Sequence, residues 1–394
     1  MITFDQAQAL LAAEVVPLGC EELAIGDAAG RVLAEDVHAA LPSPRRDVSS
    51  MDGYALRLED AAVGATLALV GESAAGGALP PAVGPGQAVR IYTGAAVPQG
   101  ADIVVIQENC EAGPGQVTIA RAFGPGRNIR AMAGDFAAGD LLLPAGRRLD
   151  PLAMVTLAAA DRAWARVFRR PRVAVIATGD ELAAPGTARN NPLAIPESVS
   201  FGVAALIAEH GGMLVHRATG GDNLPALETM AAAALGAADL VVITGGASVG
   251  ARDFAKAMFE VHGLELVFAK VAIKPGKPVW FGRAQGKWVL GLPGNPTSAM
   301  VTARLLLVPL LAALQGRRGN SLLDWTDLPL GADLPANGDR ETFVRMMASP
   351  RGLVPLGNQD SGVQGAMSSA QWLVRRAIAA ATARAGGTVS ALRF

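Results

Sequence analysis

Three stretches decide the fold: Val173-Ala-Val-Ile-Ala-Thr178, Leu240-Val-Val-Ile-Thr244 and Val289-Leu-Gly-Leu292. Each is a short run that is apolar at nearly every position instead of at every second one. Both faces of such strands must be covered, as in a parallel sheet lying between layers of helix. Helical spacing fills the intervals, so residues 169–318 read as an α/β unit with strands expected at 172–178, 213–219, 240–244, 264–271 and 287–292. All three runs end in unusual text: Gly179-Asp-Glu-Leu182, then Gly245-Gly-Ala-Ser-Val-Gly250 with Asp253 beyond it, then Pro293-Gly-Asn-Pro296. Ligands of open parallel sheets bind beyond the carboxyl ends of the strands, where these three sequences fall.

Outward from this unit the pattern changes on both sides. Residues 5–40 are helical and then extended, up to the breaker Leu41-Pro-Ser-Pro-Arg-Arg-Asp47. Residues 44–135 consist of short apolar runs such as Ala88-Val-Arg-Ile-Tyr92 and Asp102-Ile-Val-Val-Ile106 between Gly and Pro clusters, which predicts a β-rich module. Helical spacing then occupies 150–168, with Pro151 suited to a first turn. After Gly316-Arg-Arg-Gly-Asn320 the chain returns to short strands, such as 341–347, and a small C-terminal β domain over 322–394 is expected.

Bulk properties exclude several classes. Lys plus Arg number 34 against 35 Asp plus Glu, which gives no charge excess toward nucleic acid or anionic lipid. The most apolar stretch, Leu305 to Leu314, is short and contains Pro309, so it reads as a buried helix and not a membrane span. Met1-Ile-Thr-Phe-Asp5 has no basic leader before an apolar core, which leads us to expect a cytoplasmic protein. Cys20 and Cys110 make no CxxC, and the four histidines show no paired metal-ligand spacing.

Chemistry is expected at the three strand ends. Glycine turns let backbone amides approach a ligand, and a following helix N-terminus favours an anion such as phosphate. The same text also suits plain structure: Gly245-Gly246 a tight strand-to-helix turn, and Asn295-Pro296 a helix cap with a first-turn proline. In Phe268-Ala-Lys-Val-Ala-Ile-Lys-Pro-Gly-Lys277, Lys270 and Lys274 interrupt an apolar strand at spacing four and hence share a face. With Lys277 they predict an oxyanion or phosphate site, the alternative being an edge strand whose lysines reach out to water. Neither GxGxxG nor a Walker A sequence occurs.

Taken in order, Ser50-Met-Asp-Gly-Tyr-Ala55, Tyr92-Thr-Gly-Ala-Ala-Val-Pro98 with Gly100-Ala-Asp102 and Gln107-Glu108, Thr178-Gly-Asp-Glu-Leu182, Gly245-Gly-Ala-Ser-Val-Gly250 with Asp253, Ala272-Ile-Lys-Pro-Gly-Lys-Pro278 and Gly291-Leu-Pro-Gly-Asn-Pro296 resemble the motif set of the molybdopterin molybdenumtransferases, a family that includes the E domain of gephyrin. The resemblance covers nearly the whole chain. It implies an α/β multidomain protein with four parts. These are an elongated linking domain from 1–43 and 136–168, an inserted β-rich domain at 44–135, a molybdopterin-binding α/β domain at 169–318, and a C-terminal β-barrel at 322–394. It further implies a homodimer with the active site between subunits, one supplying Asp52, Thr93 and Asp135, the other Glu181, Asp222, Ser248, Asp253, Lys270 and Lys274.

The implied reaction inserts molybdate into adenylylated molybdopterin, a substrate made by an upstream molybdopterin adenylyltransferase, and releases AMP. Mg²⁺ is the implied metal, with Asp222, Asp253 and Glu181 as its ligands. Lys270 and Lys274 are assigned to the oxyanion, Lys277 assists, and Gly245, Gly246, Pro293, Gly294, Asn295 and Ser361 cradle the pterin and its phosphate. Two departures stand out: Val199 follows Ser198 where the family usually carries an Asn, and Gly365-Ala366 replace a hydroxyl pair beyond Ser361. A paralogue that binds molybdopterin without inserting metal is therefore one competing reading. A gephyrin-like scaffold is the other, although the extra domain and long linker of such a role are absent from this sequence.

Overall fold

The computed structural model describes residues 1–245, 254–317 and 323–394. Its central sheet runs in the order Met213–Gly220, Arg172–Thr178, Leu240–Thr244, Lys287–Leu292, Trp280–Ala284, Glu265–Phe268. The first four strands are parallel. Side chains alternate between two cores: Val173, Val175, Leu240 and Val242 face one, Ala174, Ile176, Val241 and Ile243 the other. That double burial is why these strands read as continuous apolar runs. The helices Val199–Glu209 and Pro296–Thr302 cover the first face, Leu224–Ala237 and Phe254–Glu260 the second.

Two expectations for this sheet are corrected. The sheet is mixed, because Trp280–Ala284, a strand the sequence reading missed, pairs antiparallel with Lys287–Leu292 and with Glu265–Phe268. Gln285 and Gly286 join the hairpin at φ 48° and 72°, both left-handed, so a two-residue turn suffices and no crossover helix is required. The strand expected over 264–271 ends at Phe268. Beyond it the backbone pairs elsewhere: Val271 bridges Ile2 in parallel, and Ile273–Lys274 joins the C-terminal strand Glu341–Ser349.

Pro296–Leu314 is continuously helical, with a mean hydropathy of 1.8 and 83% of its most apolar window buried inside the protein. By length and composition it could cross a membrane, but here it forms the core. Pro309 has no N–H to give the Leu305 carbonyl, and the turn Ala303–Leu307 widens to π geometry. Gln8 Nε2, from the N-terminal helix Phe4–Glu14, donates to that carbonyl at 2.6 Å.

Helix Pro151–Ala159 stops well short of 168. Trp164–Phe168 is instead a strand paired with Cys20–Ala24, because its alternating apolar residues Ala165 and Val167 fill the core beneath it. Val37–His38 pairs with Leu141–Leu143, and Val48–Ser49 with Ile129–Arg130. Between these crossings lies a six-stranded sheet over a core of Leu56, Leu67, Ile103, Val105 and Ile119. The C-terminal sheet runs Ile273–Lys274, Glu341–Ser349, Trp372–Arg376, Thr388–Arg393, Thr326–Pro329, with Gly352–Pro355 also paired to Glu341–Ser349 and a bridge from Leu330 to Leu353.

Candidate functional site

A cavity of 540 Å³ opens beyond the carboxyl ends of the parallel strands. Thr178, Thr244 and Gly245 floor it, Pro293, Gly294 and Asn295 form one wall, and Glu181, Glu197 and Ser198 form another. Gly362 and Gln364 reach it from the 358–364 loop. The floor is tight because glycines meet there. Gly245 has φ +97°, and a Cβ on it would lie 2.3 Å from the Thr178 carbonyl oxygen. A Cβ on Gly294 would lie 3.3 Å from Gly245 Cα. The strand ends thus touch through backbone alone, which keeps the crevice deep.

The C-terminal loop is stapled over the opening. Asn295 takes the N-cap position before Pro296, yet its side chain makes no cap, a correction to the cap reading. Its Nδ2 donates to Ser361 Oγ at 3.0 Å instead. Thr297 N–H donates to the Ser361 carbonyl at 3.2 Å, and Thr297 Oγ1 donates to Val363 O at 2.7 Å. Ser198 Oγ donates to Gln364 Oε1 at 3.0 Å. Behind the loop, Arg345 is 1% exposed. Its guanidinium donates to Thr297 Oγ1 at 2.9 Å, Asn358 O at 3.2 Å and Asp360 O at 3.1 Å.

The described lining contains two carboxylates and no Lys, Arg or His. Glu197 is buried, and its oxygens accept from Ser200 N–H at 2.8 Å and Ser200 Oγ at 2.5 Å. Glu181 is exposed to the cavity. Such a wall suits the donor edge of a heterocycle better than a phosphate.

The remaining described sequence candidates are not among the residues lining this cavity. Lys270, Lys274 and Lys277 are all exposed, and Lys270 and Lys274 do not share a strand face, because the strand ends before them and their backbones pair with different partners. Asp222 follows the Met213–Gly220 strand, where its backbone N–H donates to Asp180 Oδ1 at 2.8 Å. Asp52 and Thr93 do come together in the β-rich module: Asp52 Oδ1 accepts from Thr93 N–H at 2.7 Å and from its hydroxyl at 2.8 Å. Those two bonds, helped by Arg90, hold Asp52 below the usual carboxylate range against a smaller opposing effect of burial. Asp135 is exposed, with its backbone N–H on Ser43 O. Gly246, Ser248 and Asp253 lie outside the described residues. Among the described residues no three of His, Cys, Asp and Glu gather as a metal-binding group.

Sequence reasoning missed Glu197, Gln364 and the clamping role of Arg345. Glu197 carried a readable signal, an acid three residues before Ser200 at the head of a helix. Gln364 carried none, since its place depends on contacts across 166 residues. A larger cavity of 1110 Å³ lies beside the N-terminal helix, between Phe4, Val16, Pro309 and Trp325, and holds none of the predicted site residues.

A strand-end crevice closed over by the 358–364 loop is the setting of an α/β unit of the molybdopterin-binding type: residues 174–313 match the probable molybdopterin binding domain, and residues 2–160 match the MoeA N-terminal region, domains I and II. The molybdopterin molybdenumtransferase of Haemophilus influenzae is 38% identical over 320 residues, 81% of this chain and 79% of that one. That of Synechococcus elongatus is 31% identical over 396 residues, 95% of each. Crystal structures of the molybdopterin biosynthesis MoeA protein from Pyrococcus horikoshii superpose over 100% of this chain with TM-scores of 0.81 and 0.85, at 30% and 24% identity. The chain belongs to the molybdopterin molybdenumtransferase (MoeA) family.

Proposed function

We propose that this protein inserts molybdate into adenylylated molybdopterin and releases AMP. The observation that carries the reading is the crevice where Glu181, Gly245, Pro293, Gly294 and Asn295 converge, with Ser361 tied to its wall. A pterin ring enters this crevice, where carboxylates meet its amino and ring N–H groups. Lys270 and Lys274, assisted by Lys277, attract the doubly negative oxyanion from the surface beside it, since fixed positive charge stabilises such an ion where water is partly excluded. Ser248 and Asp253 enter on sequence alone.

The division into 1–43 with 136–168, 44–135, 169–318 and 322–394 is part of the same proposal. The Leu330–Leu353 bridge supports reading the last segment as a small barrel, because it ties the residue after Thr326–Pro329, at one end of that sheet, to Gly352–Pro355, which pairs with Glu341–Ser349 near the other. Asp52, Thr93 and Asp135 lie away from the cavity of their own chain, which supports a homodimer in which one subunit's β-rich module completes the other's site. Mg²⁺ belongs to the proposal as an ion shared between Glu181, Asp222, Asp253 and substrate phosphates, the usual manner for this cation. No step is routed through it, because the described residues assemble no three-ligand group. A cytoplasmic location and delivery of substrate by an adenylyltransferase complete the reading.

The test is direct: purified protein, adenylylated molybdopterin, molybdate and Mg²⁺, with AMP and bound molybdenum measured. Release of AMP with metal incorporation is expected. Binding without AMP release would sink the transferase reading and leave a molybdopterin-binding paralogue, the alternative that Val199 and Gly365 favour.

A further inference from the structure

We propose that Gln364 is a specificity-determining residue, the side chain that fixes how the pterin ring sits in the crevice. This inference rests on the functional reading above and goes beyond it. Free side-chain donors are few in the described lining, the Thr244 hydroxyl being one. Glu181 and Glu197 offer only acceptors when ionised, and the Thr178 hydroxyl is turned to Thr244 O at 3.4 Å. The Asn295 amide donates to Ser361. Beside the Thr244 hydroxyl, Gln364 adds an amide donor. Its Oε1 accepts from Ser198 Oγ, and no described acceptor lies within hydrogen-bonding distance of its Nε2 donors.

The side chain is exposed, but the backbone that carries it is held in place. Val363 O accepts from Thr297 Oγ1, Gln364 O accepts from Met367 N–H at 2.9 Å, and Gly362 N–H donates to Asp360 Oδ1 at 2.8 Å. The backbone is therefore anchored on both sides of Gln364, and Ser198 sets the amide's orientation from the opposite wall.

A 2-amino-4-oxo pterin presents donors at its amino group and ring N–H and an acceptor at the neighbouring carbonyl. Carboxylates satisfy the donors, and the carbonyl requires an N–H. The amide so placed is Gln364 Nε2, here assigned to the carbonyl, and the Ser198–Gln364 pair reads the ring from opposite walls. An oxo-to-amino exchange on the ring would set donor against donor.

The experiment measures affinity for molybdopterin and the kinetics of AMP release in wild type, Gln364→Ala, Gln364→Glu, Ser198→Ala and the double Ser198→Ala/Gln364→Ala, with thermal melting as the fold control. Gln364→Ala is expected to weaken binding and raise KM about 10-fold with kcat little changed, the loss of one neutral hydrogen bond. Gln364→Glu, which places a third carboxylate on the wall, should weaken binding more than Gln364→Ala does. The double variant should be no worse than Gln364→Ala alone, because Ser198 acts through Gln364. Wild-type affinity in both Gln364 variants, or additive losses in the double variant, overturns the assignment while leaving the proposed function standing. A wild-type protein that binds no molybdopterin overturns both.

Discussion

Replacing Gly245 with Ala tests whether the crevice floor is as tight as the geometry makes it. The residue sits at φ +97°, where an L side chain costs about 1–2 kcal/mol or more. The added Cβ would come within 2.3 Å of Thr178 O and 2.9 Å of Thr178 Oγ1, against an ordinary contact beginning near 3.4 Å. One strand end must retreat by about 1 Å, and overpacking of this kind costs a further 1–3 kcal/mol, roughly. A total of about 2–5 kcal/mol is expected. Denaturant unfolding followed by fluorescence reports on the central sheet, since Trp280 and Trp288 lie in it. Pterin binding should fall in parallel, because the displaced atoms are the cavity floor. Gly294→Ala is the internal control: its nearest contact is 3.3 Å and its φ is not left-handed, so about 1 kcal/mol or less is expected. A Gly245→Ala protein within about 1 kcal/mol of wild type, binding pterin normally, would refute the tight-floor argument.

Arg345→Met should cost about 3–5 kcal/mol and loosen the 358–364 loop, because it strips three hydrogen bonds from a buried clamp; Arg345→Lys should recover only part, lacking the planar fork, and full stability in both would remove the clamp. Burial, reinforced by Arg304 and also by Arg148 and Arg317 and opposed by Glu209, pushes His210 from 6.5 down to about 4. The unfolded chain therefore binds the extra proton first, and stability should fall as pH drops from 6.5 toward 4, by about 1–2 kcal/mol after allowance for the partly exposed ring. His210→Gln should flatten that limb of a melting curve series, and an unchanged slope would show that the ring is not its source. Lys270→Ala and Lys274→Ala should leave melting unaltered, because both side chains are exposed, and lower turnover by about 100-fold or more; normal turnover in both would remove the lysines from the site.

The central sheet was legible because burial on both faces writes itself as unbroken apolar text in Arg172–Thr178, Leu240–Thr244 and Lys287–Leu292, and all three boundaries match. Trp280–Ala284 was not, although Gln285-Gly286 is a two-residue hairpin signal, since an alternating strand-helix pattern argues for crossovers everywhere. The crevice residues next to strand ends were readable from glycine and proline placement. Lys270 and Lys274 misled because periodicity assumes that a strand continues, and here Ile2 and Glu341, distant in sequence, compete for the backbone and end it. Gln364 and Arg345 were invisible as site residues for the same reason: their places come from contacts with Ser198 and Thr297, distant in sequence, which local pattern does not encode.

The seat of the N-terminal helix has a consequence for how the chain matures. Gln8 caps a carbonyl 297 residues downstream, and Asp5 forms a two-pronged ion pair with Arg375, 370 residues away, which also binds Glu341. During synthesis at about 5–20 residues per second, the first helix emerges roughly 15–60 s before the carbonyl it must reach. This helix is thus made long before it can dock. It closes a ring of contacts through Val271 and Glu341 beside the lysine-bearing loop, so a nascent chain interrupted before residue 341 leaves Ile273–Lys274 without the strand it pairs with.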